Sequence, residues 1–345
     1  MTATSPSSAL AVLLAICNIH GAIGTLLTEA VQTRRPVSLK KCLSKAKQEL
    51  NLAVLPPECH KDIQRFYCQK VQDAGSRTYL ERQAGSCNGS ADLSGPDLRH
   101  TSYSPSKLGY VILSHRYPQN VKRLVMRLYE PEGSTFVVHV DSKSPEVFDE
   151  LRTWRESEGM QDAMTVFTEF NVVRGGPAML QAELRGIDML LNSSLPWDFC
   201  ILLSEQDYPL RGNQVLAEWL WLHRGASFIS IDEGECERDV SFQCGSLVVS
   251  LSGGAQFPKV PGIDYGSGSQ WSVLSRSLAT EVNASLHDSS SLVGMIYRDL
   301  TAVKQPDESF FQTVVLNTHH CSLYADYTLH WTDKASMREV RSDTS

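Results

Sequence analysis

An acidic pair, Asp307-Glu308, stands between Pro306 and an apolar run that continues through Thr313, Val314, Val315 and Leu316. Pro306 suits the first turn of a helix, and carboxylates suit its positively polarised N-terminal end. The pattern predicts a helix with Glu308 at its mouth and an apolar side anchored in a core. A carboxylate held there can act as a general base. It can also do no more than complement the helix dipole. The rest of the chain has to decide between the two.

Three further polar clusters follow apolar runs: Ser114-His115-Arg116, Asp141-Ser142-Lys143 and Ser204-Glu205-Gln206-Asp207. The runs before them, Gly109–Ser114, Thr135–Val140 and Phe199–Leu203, read as buried strands of a parallel sheet. Residues 165–167 and 227–231 add two more candidate strands, and Trp271-Ser-Val-Leu another. Helical periodicity runs over 120–129, 177–191 and 216–222. Strand and helix alternate, which predicts an α/β fold with a mostly parallel sheet. In such sheets ligands bind beyond the carboxyl ends of the strands. One polar cluster is an ordinary turn; three on a common edge predict a shared ligand crevice.

The chain has 345 residues, 42% hydrophobic and 21% charged, with a net charge of −7. That suits one large domain and a smaller one. No Lys/Arg run is long enough for a nucleic-acid surface. Ala9–Ile16 is an unbroken apolar run, so residues 1–30 are expected to be a signal peptide or a single signal anchor. Beyond Cys17, eight cysteines remain: Cys42, Cys59, Cys68, Cys87, Cys200, Cys236, Cys244 and Cys321. With an entry signal they predict disulfides in an oxidising lumen, although Cys200, inside an apolar strand, also reads as a free core thiol. Sequons at Asn88, Asn192 and Asn283 agree with the secretory route; the expected location is the Golgi or endoplasmic reticulum lumen, as a type II membrane or secreted protein. Residues 31–105 hold four cysteines, helical patterning over 39–55 and 57–72, and then a Gly/Ser/Asp/Asn-rich stretch. They read as a small helical, disulfide-rich stem ahead of a catalytic domain over 106–345.

Several chemistries lack their motif. No Gly-x-Gly-x-x-Gly follows the first strand and no Walker A loop occurs, which disfavours dinucleotide and P-loop enzymes. His-Glu-x-x-His, Gly-x-Ser-x-Gly and Cys-x-x-Cys are missing too. So is Asp-x-Asp; Glu205-x-Asp207 is the nearest substitute for a metal-binding pair.

Gly109–Asp141, Asp198–Leu210, Gly266–Arg276 and Pro306–Asn317 resemble, in order, successive blocks of the core-2/I-branching family of glycosyltransferases. The signatures are His139-Val-Asp-Ser-Lys-Ser144, Leu203-Ser-Glu-Gln-Asp-Tyr-Pro209 and Pro306-Asp-Glu-Ser-Phe-Phe311. The stem from Cys42 to Cys87, Glu235-Cys236 and Cys321 look most like the peptide O-xylosyltransferase branch. The resemblance implies a GT-A-type Rossmann-like domain, a UDP-sugar donor, inversion at the sugar, no metal and no other cofactor. By the same resemblance, Asp141 and Lys143 hold the uridine end. Leu113 and Ser114, with His115 beside them, meet the uracil. Asp207 forms the floor, and Ser269, Gln270, Trp271 and Arg174 complete the UDP-sugar set. Glu308 faces the transferred sugar or the acceptor hydroxyl.

Three departures qualify the resemblance. The xylosyltransferase pattern carries an aspartate, its apparent base, where this chain has Gln270, which accepts no proton at neutral pH. A tryptophan that lines the xylose pocket becomes Arg174. The basic residues that meet the diphosphate lie downstream of the stretch matched here, and Lys304, Arg338 and Arg341 are the substitutes on offer. The expected activity is transfer of a sugar, xylose by default, from a UDP-sugar to a serine or glycan hydroxyl, with Glu308 as base. N-acetylglucosamine and glucuronic acid are the alternative donors. A sugar-binding pseudoenzyme on the same fold is the alternative function.

Overall fold

The computed structural model describes residues 57–73, 104–232, 239–250, 260 and 262–331. The N-terminal apolar segment, the helix expected over 39–55, Arg338 and Arg341 lie outside them. Among the described residues no helix is long and apolar enough to cross a membrane.

The elements in chain order are α1 (Pro57–Asp73), β1 (Leu108–Ser114), α2 (Pro118–Leu128), β2 (Ser134–Val140), α3 (Pro145–Ser157), β3 (Met164–Phe167) and α4 (Ala178–Leu191). Then come β4 (Phe199–Ser204), α5 (Asn213–Leu222), β5 (Ser227–Phe228), β6 (Ser241–Cys244), β7 (Leu247–Ser250), β8 (Val273–Ser275), α6 (Arg276–Ser285) and α7 (Leu292–Leu300). A 3-10 turn over Pro306–Glu308 leads into α8 (Phe310–Asn317); a second, His319–Ser322, leads into β9 (Tyr324–Ala325).

Seven strands form one sheet in the order β3-β2-β1-β4-β8-β5-β9, and β6-β7 form a separate hairpin. β3, β2, β1 and β4 are mutually parallel; β8 runs antiparallel to both β4 and β5. The expected α/β class and mostly parallel sheet are therefore present. Strands this apolar need cover on both faces. On one face Val121 and Leu124 of α2, Val147 and Leu151 of α3, and Ala217 and Leu220 of α5 pack on Tyr110, Ile112, Phe136 and Val138. On the other, Leu180, Leu184 and Ile187 of α4 pack on Val111, Val137 and Leu202, in a core that runs on into α6, α7 and α8. Each fully buried large side chain contributes roughly 1.5–3 kcal/mol relative to exposure. The approach of α4 is close: a Cβ on Gly186 would lie 2.6 Å from Cγ1 of Val111.

Several elements differ from the periodicity reading. The strand expected over 227–231 is regular only at Ser227 and Phe228, beside the short β8 and β9. Beyond it Ile229 N still donates to Ala325 O at 3.1 Å, and Ile231 N donates to the side chain of Asp326, to Oδ1 at 2.7 Å. The strand expected from Trp271 starts at Val273, since Trp271 N turns back to Ser269 Oγ at 3.1 Å. α3, α6, α7 and the β6-β7 hairpin were not read from the sequence. Ser275 and Ser291 start α6 and α7 as N-caps, accepting from Leu278 N at 3.4 Å and Gly294 N at 2.9 Å.

The stem helix α1 is joined to the hairpin. Cys59 and Cys244 form a disulfide, and Phe66 packs edge-on to Phe242 with ring centroids 5.6 Å apart. Cys68 and Cys321 are each held in a separate disulfide, and Cys200 is a free, buried thiol.

Candidate functional site

The parallel strands deliver their polar C-terminal clusters to one edge. β8 runs the other way, so the residues that precede it, Ser269, Gln270 and Trp271, enter at that same edge beside Ser204–Asp207. Leu202 N donates to Ser272 O at 3.1 Å, which holds that register beyond the strand. Residues after β5 and β9, including Ser230 and His330, also emerge there, because β5 and β9 run parallel to each other and β5 lies antiparallel to β8.

Glu205 organises the start of this edge. Its Oε2 accepts from Ser114 Oγ at 2.7 Å and from the amides of His115, Arg116 and Tyr117 at 2.8, 3.0 and 3.2 Å. Nδ1 of His115 lies 3.0 Å from the other oxygen. These amides belong to the turn that starts α2, whose Ncap residue Tyr117 offers no side-chain cap. Glu205 thus supplies from a neighbouring strand the acceptor that the local sequence lacks. Burial would raise its carboxyl, but the hydrogen bonds from Ser114, Arg116, His115 and Tyr117 outweigh burial and hold it below the usual carboxylate range. All four donors meet Oε2, while Oε1 is buried beside the His115 ring. Among the described residues, one group could hold an ion: Glu281, His319 and His320. It follows the C-terminal end of β8 and precedes β9, at the opposite edge of the sheet.

The expected uridine residues are adjacent and mutually paired. Asp141 is buried, and its amide donates to Ser114 O at 2.9 Å, joining the ends of β1 and β2. Nζ of Lys143 reaches both Asp141 oxygens at 2.9 and 2.7 Å, Asn171 Oδ1 at 2.7 Å and Val172 O at 2.6 Å. Nε2 of Gln243 on β6 donates to Asn171 O at 2.7 Å. The disulfide-anchored hairpin therefore supports the loop that steadies Lys143. His139 lies buried on the same strand between Phe167 and Phe170, and burial pushes its pKa down to about 4, so it is neutral.

Glu308 does not occupy the first turn of the helix, as the sequence suggested. It ends the 3-10 turn, and Ser309, at φ −142°, breaks the path before α8 begins. Buried Phe310, Phe311, Val314 and Val315 anchor that helix. The turn is set by Gln305 in the left-handed region (φ 57°), whose amide donates to Gly175 O at 2.9 Å. Arg174, exposed and next to Gly175, is thereby brought alongside. The carbonyl of Glu308 accepts from Gly268 N at 2.9 Å, and Gln312 Nε2 donates to Ser269 O at 2.8 Å. Gly268 is required: a Cβ there would meet the Ser230 carbonyl oxygen at 2.0 Å. The strap 268–271 thus ties Glu308 to the sheet edge. On that strap, Gln270 Nε2 donates to Glu183 Oε1 at 2.6 Å.

Asp207 lies further along the edge. Its Oδ2 accepts from Ser204 N at 2.6 Å and Ser204 Oγ at 3.0 Å, and Oδ1 pairs with Nε2 of His330. The His330 ring packs on Trp271 with centroids 5.6 Å apart. Asp207, Trp271 and His330 border a cavity of about 410 Å³ whose walls include Leu124, Ile201 and Leu216. Its mouth carries the exposed Tyr208, Leu210 and Trp331.

The structure thus gathers Leu113, Ser114, His115, Asp141, Lys143, Asp207, Ser269, Gln270 and Trp271 along one edge, with Glu308 and Arg174 on loops bonded to it or to each other. The sequence reading missed Glu183, Gln312 and His330. His330 gives no local signal, since only β9 pairing carries it here. Glu183 gives one: it interrupts the apolar face of α4 between Leu180 and Leu184, where a carboxyl has no cause to be buried unless something meets it.

The Core-2/I-Branching enzyme family model matches residues 108–342. Xylosyltransferase oxt of Drosophila pseudoobscura pseudoobscura is 29% identical over 229 residues, 64% of this chain and 25% of that protein. Xylosyltransferase 2 of Homo sapiens is 30% identical over 239 residues, 66% and 27%. Xylosyltransferase 1 of Canis lupus familiaris is 25% identical over 288 residues, 80% and 29%. The chain spans about a quarter of the length of the curated relatives it matches. A solved 4-diphosphocytidyl-2C-methyl-D-erythritol synthase from Anaerococcus prevotii overlaps with a TM-score of 0.34 at 8% identity, over 69% of this chain and 96% of that one, too weakly to bear on function. With the family match covering every strand of the main sheet and all the edge residues described above, the chain belongs to the Core-2/I-Branching enzyme family.

Proposed function

We propose that this chain is a glycosyltransferase domain of GT-A type that moves a sugar from a UDP-sugar to an alcohol, with Glu308 as the general base. One observation carries the reading: the buried Asp141 with Lys143, the Asp207–Trp271 wall and the strap bonded to Glu308 share one edge of the sheet. In the reaction Glu308 takes the proton of the acceptor hydroxyl as its oxygen bonds to the anomeric carbon. The bond from that carbon to the diphosphate breaks, and UDP leaves with the electron pair, inverting the centre. A positioned base contributes about 10²–10⁴-fold in rate. Without a metal, basic side chains must meet the diphosphate charge. Lys304 and Arg174, both exposed and gathered at Gly175, supply that charge; Lys304 Cγ lies 3.4 Å from where a Gly175 Cβ would be.

Xylose is the default donor sugar, because the relatives quoted above are named xylosyltransferases. The acceptor is then a protein serine or a glycan hydroxyl, as in the start of a proteoglycan linker, with N-acetylglucosamine and glucuronic acid as the alternative sugars. The disulfides support a secretory-lumen location for this chemistry, Golgi or endoplasmic reticulum, with the N-terminal segment read as entry signal or anchor. The second reading, a sugar-binding protein without turnover, is favoured by Gln270, which stands where the branch carries an acid. A donor-hydrolysis screen with UDP-xylose, UDP-N-acetylglucosamine and UDP-glucuronic acid separates the readings and ranks the sugars. Glu308→Gln is expected to keep UDP binding and lower turnover by about 10²-fold or more. Full activity in that variant would remove Glu308 from the role.

A further inference from the structure

Two carboxyls, Glu183 and Asp307, and the Gln270 amide come together where α4 passes under the 3-10 turn. Glu183 projects from α4 and is 1% exposed; Asp307 beside Glu308 is 5% exposed. Oε1 of Glu183 accepts from Gln270 Nε2 at 2.6 Å. Its Oε2 is buried and has no hydrogen-bond partner. We propose that Glu183 is a positioning residue: it holds Gln270 as a hydrogen-bond donor on the strap 268–271, and so fixes the strap that bonds to Glu308. The proposal rests on the reading of Glu308 as base and adds to it the reason for a glutamine at position 270.

The chemistry supports a neutral acid at Glu183. An ionised carboxylate with one oxygen buried and undonated is costly. Burial foremost, and then the charge of Asp307, push the Glu183 carboxyl well above its ordinary range, while the Gln270 hydrogen bond opposes them. Among the described residues, the other groups facing it add no cation. Cys200 of β4 is a thiol held protonated by burial. β1 and β2 present Val111, Val137 and the neutral His139 on this face, and α6 meets α4 further along, at Asn283–Asp188. An aspartate at position 270 would put a further carboxylate against Glu183 and Asp307 and would lose the donated hydrogen bond. Gln270 is thus matched to Glu183, and Glu308, the half-buried acid on the strap-bonded turn, is left to take the proton.

The test uses the full chain and three variants. Glu183→Leu removes the acceptor and is expected to lower kcat about 10²-fold while the donor KM moves little, the size of a small misplacement. Glu183→Gln keeps an acceptor for Gln270 and is expected to rescue most of the turnover. It also removes an ionisation that disfavours folding as pH rises above the unfolded carboxyl pKa. Its melting temperature should therefore exceed that of the parent by more at about pH 8 than at about pH 5, and its activity should persist further into alkali. Gln270→Leu breaks the same lock from the other side and stands in should Glu183→Leu not fold. Wild-type kcat in both leucine variants, or a melting gap for Glu183→Gln that does not change with pH, overturns the proposal. An active Glu308→Gln would sink the base reading and leave the melting gap intact, so the two failures are distinguishable.

Discussion

Replacing Glu205 tests the organisation of the whole edge. One oxygen of this carboxylate accepts the Ser114 hydroxyl and three consecutive amides, at 2.7–3.2 Å, from a residue that is 1% exposed. Hydrogen bonds to a charged group contribute about 1.5–3 kcal/mol each, and four on one atom are far from additive. Loss of a helix cap alone costs about 0.5–2 kcal/mol. Glu205→Gln keeps the shape but removes the charge and turns an amide group toward donors, so a loss of about 2–4 kcal/mol is expected; Glu205→Ala should lose more. Equilibrium denaturation in urea at neutral pH measures it. The pH dependence has a definite sign. The folded carboxyl lies below the unfolded value, so its stabilisation is present above the unfolded pKa and lost as pH falls through the folded one. The gap between parent and Glu205→Gln should therefore narrow in acid below the unfolded carboxyl range. A variant within about 0.5 kcal/mol of the parent at neutral pH, or a gap that widens in acid, would refute the keystone role.

Further outcomes follow from the same structure. His139, neutral in the fold with its pKa pushed down to about 4, costs the native state stability as pH falls from the unfolded value near 6.5 toward 4; His139→Phe should remove up to about 3 kcal/mol of that acid sensitivity in thermal melts. Gly268→Ala should abolish donor turnover and lower the melting temperature, because its Cβ meets the Ser230 carbonyl at 2.0 Å on the strap bonded to Glu308; a fully active variant would show that the strap can move freely. Opening the Cys59–Cys244 bridge, which spans 185 residues, with paired alanines should cost up to about 5 kcal/mol on the loop-entropy scale, and the loosened hairpin should weaken UDP binding through Asn171 and Lys143.

The sequence by itself determined the α/β class, the strands ending at Ser114, Val140 and Leu203, and the edge on which polar residues had to gather. That information is local: apolar runs of strand length alternate with helical periods, and a parallel sheet then puts every strand's exit on one side. It also pointed to Glu308 as a candidate base, although it assigned the wrong kind of turn. Only the tertiary structure decided what each acid does. Glu205, Asp141, Glu183 and Glu308 are alike as residue types. Contacts reaching across 90 residues or so make the first an acceptor of backbone amides, and a neighbouring lysine pairs the second. The glutamine on the strap bonds to the third, and the fourth sits half-buried at the end of a 3-10 turn. Charge state and role follow from partners and burial, and those are set by packing between segments far apart in the chain, which periodicity along one segment does not encode.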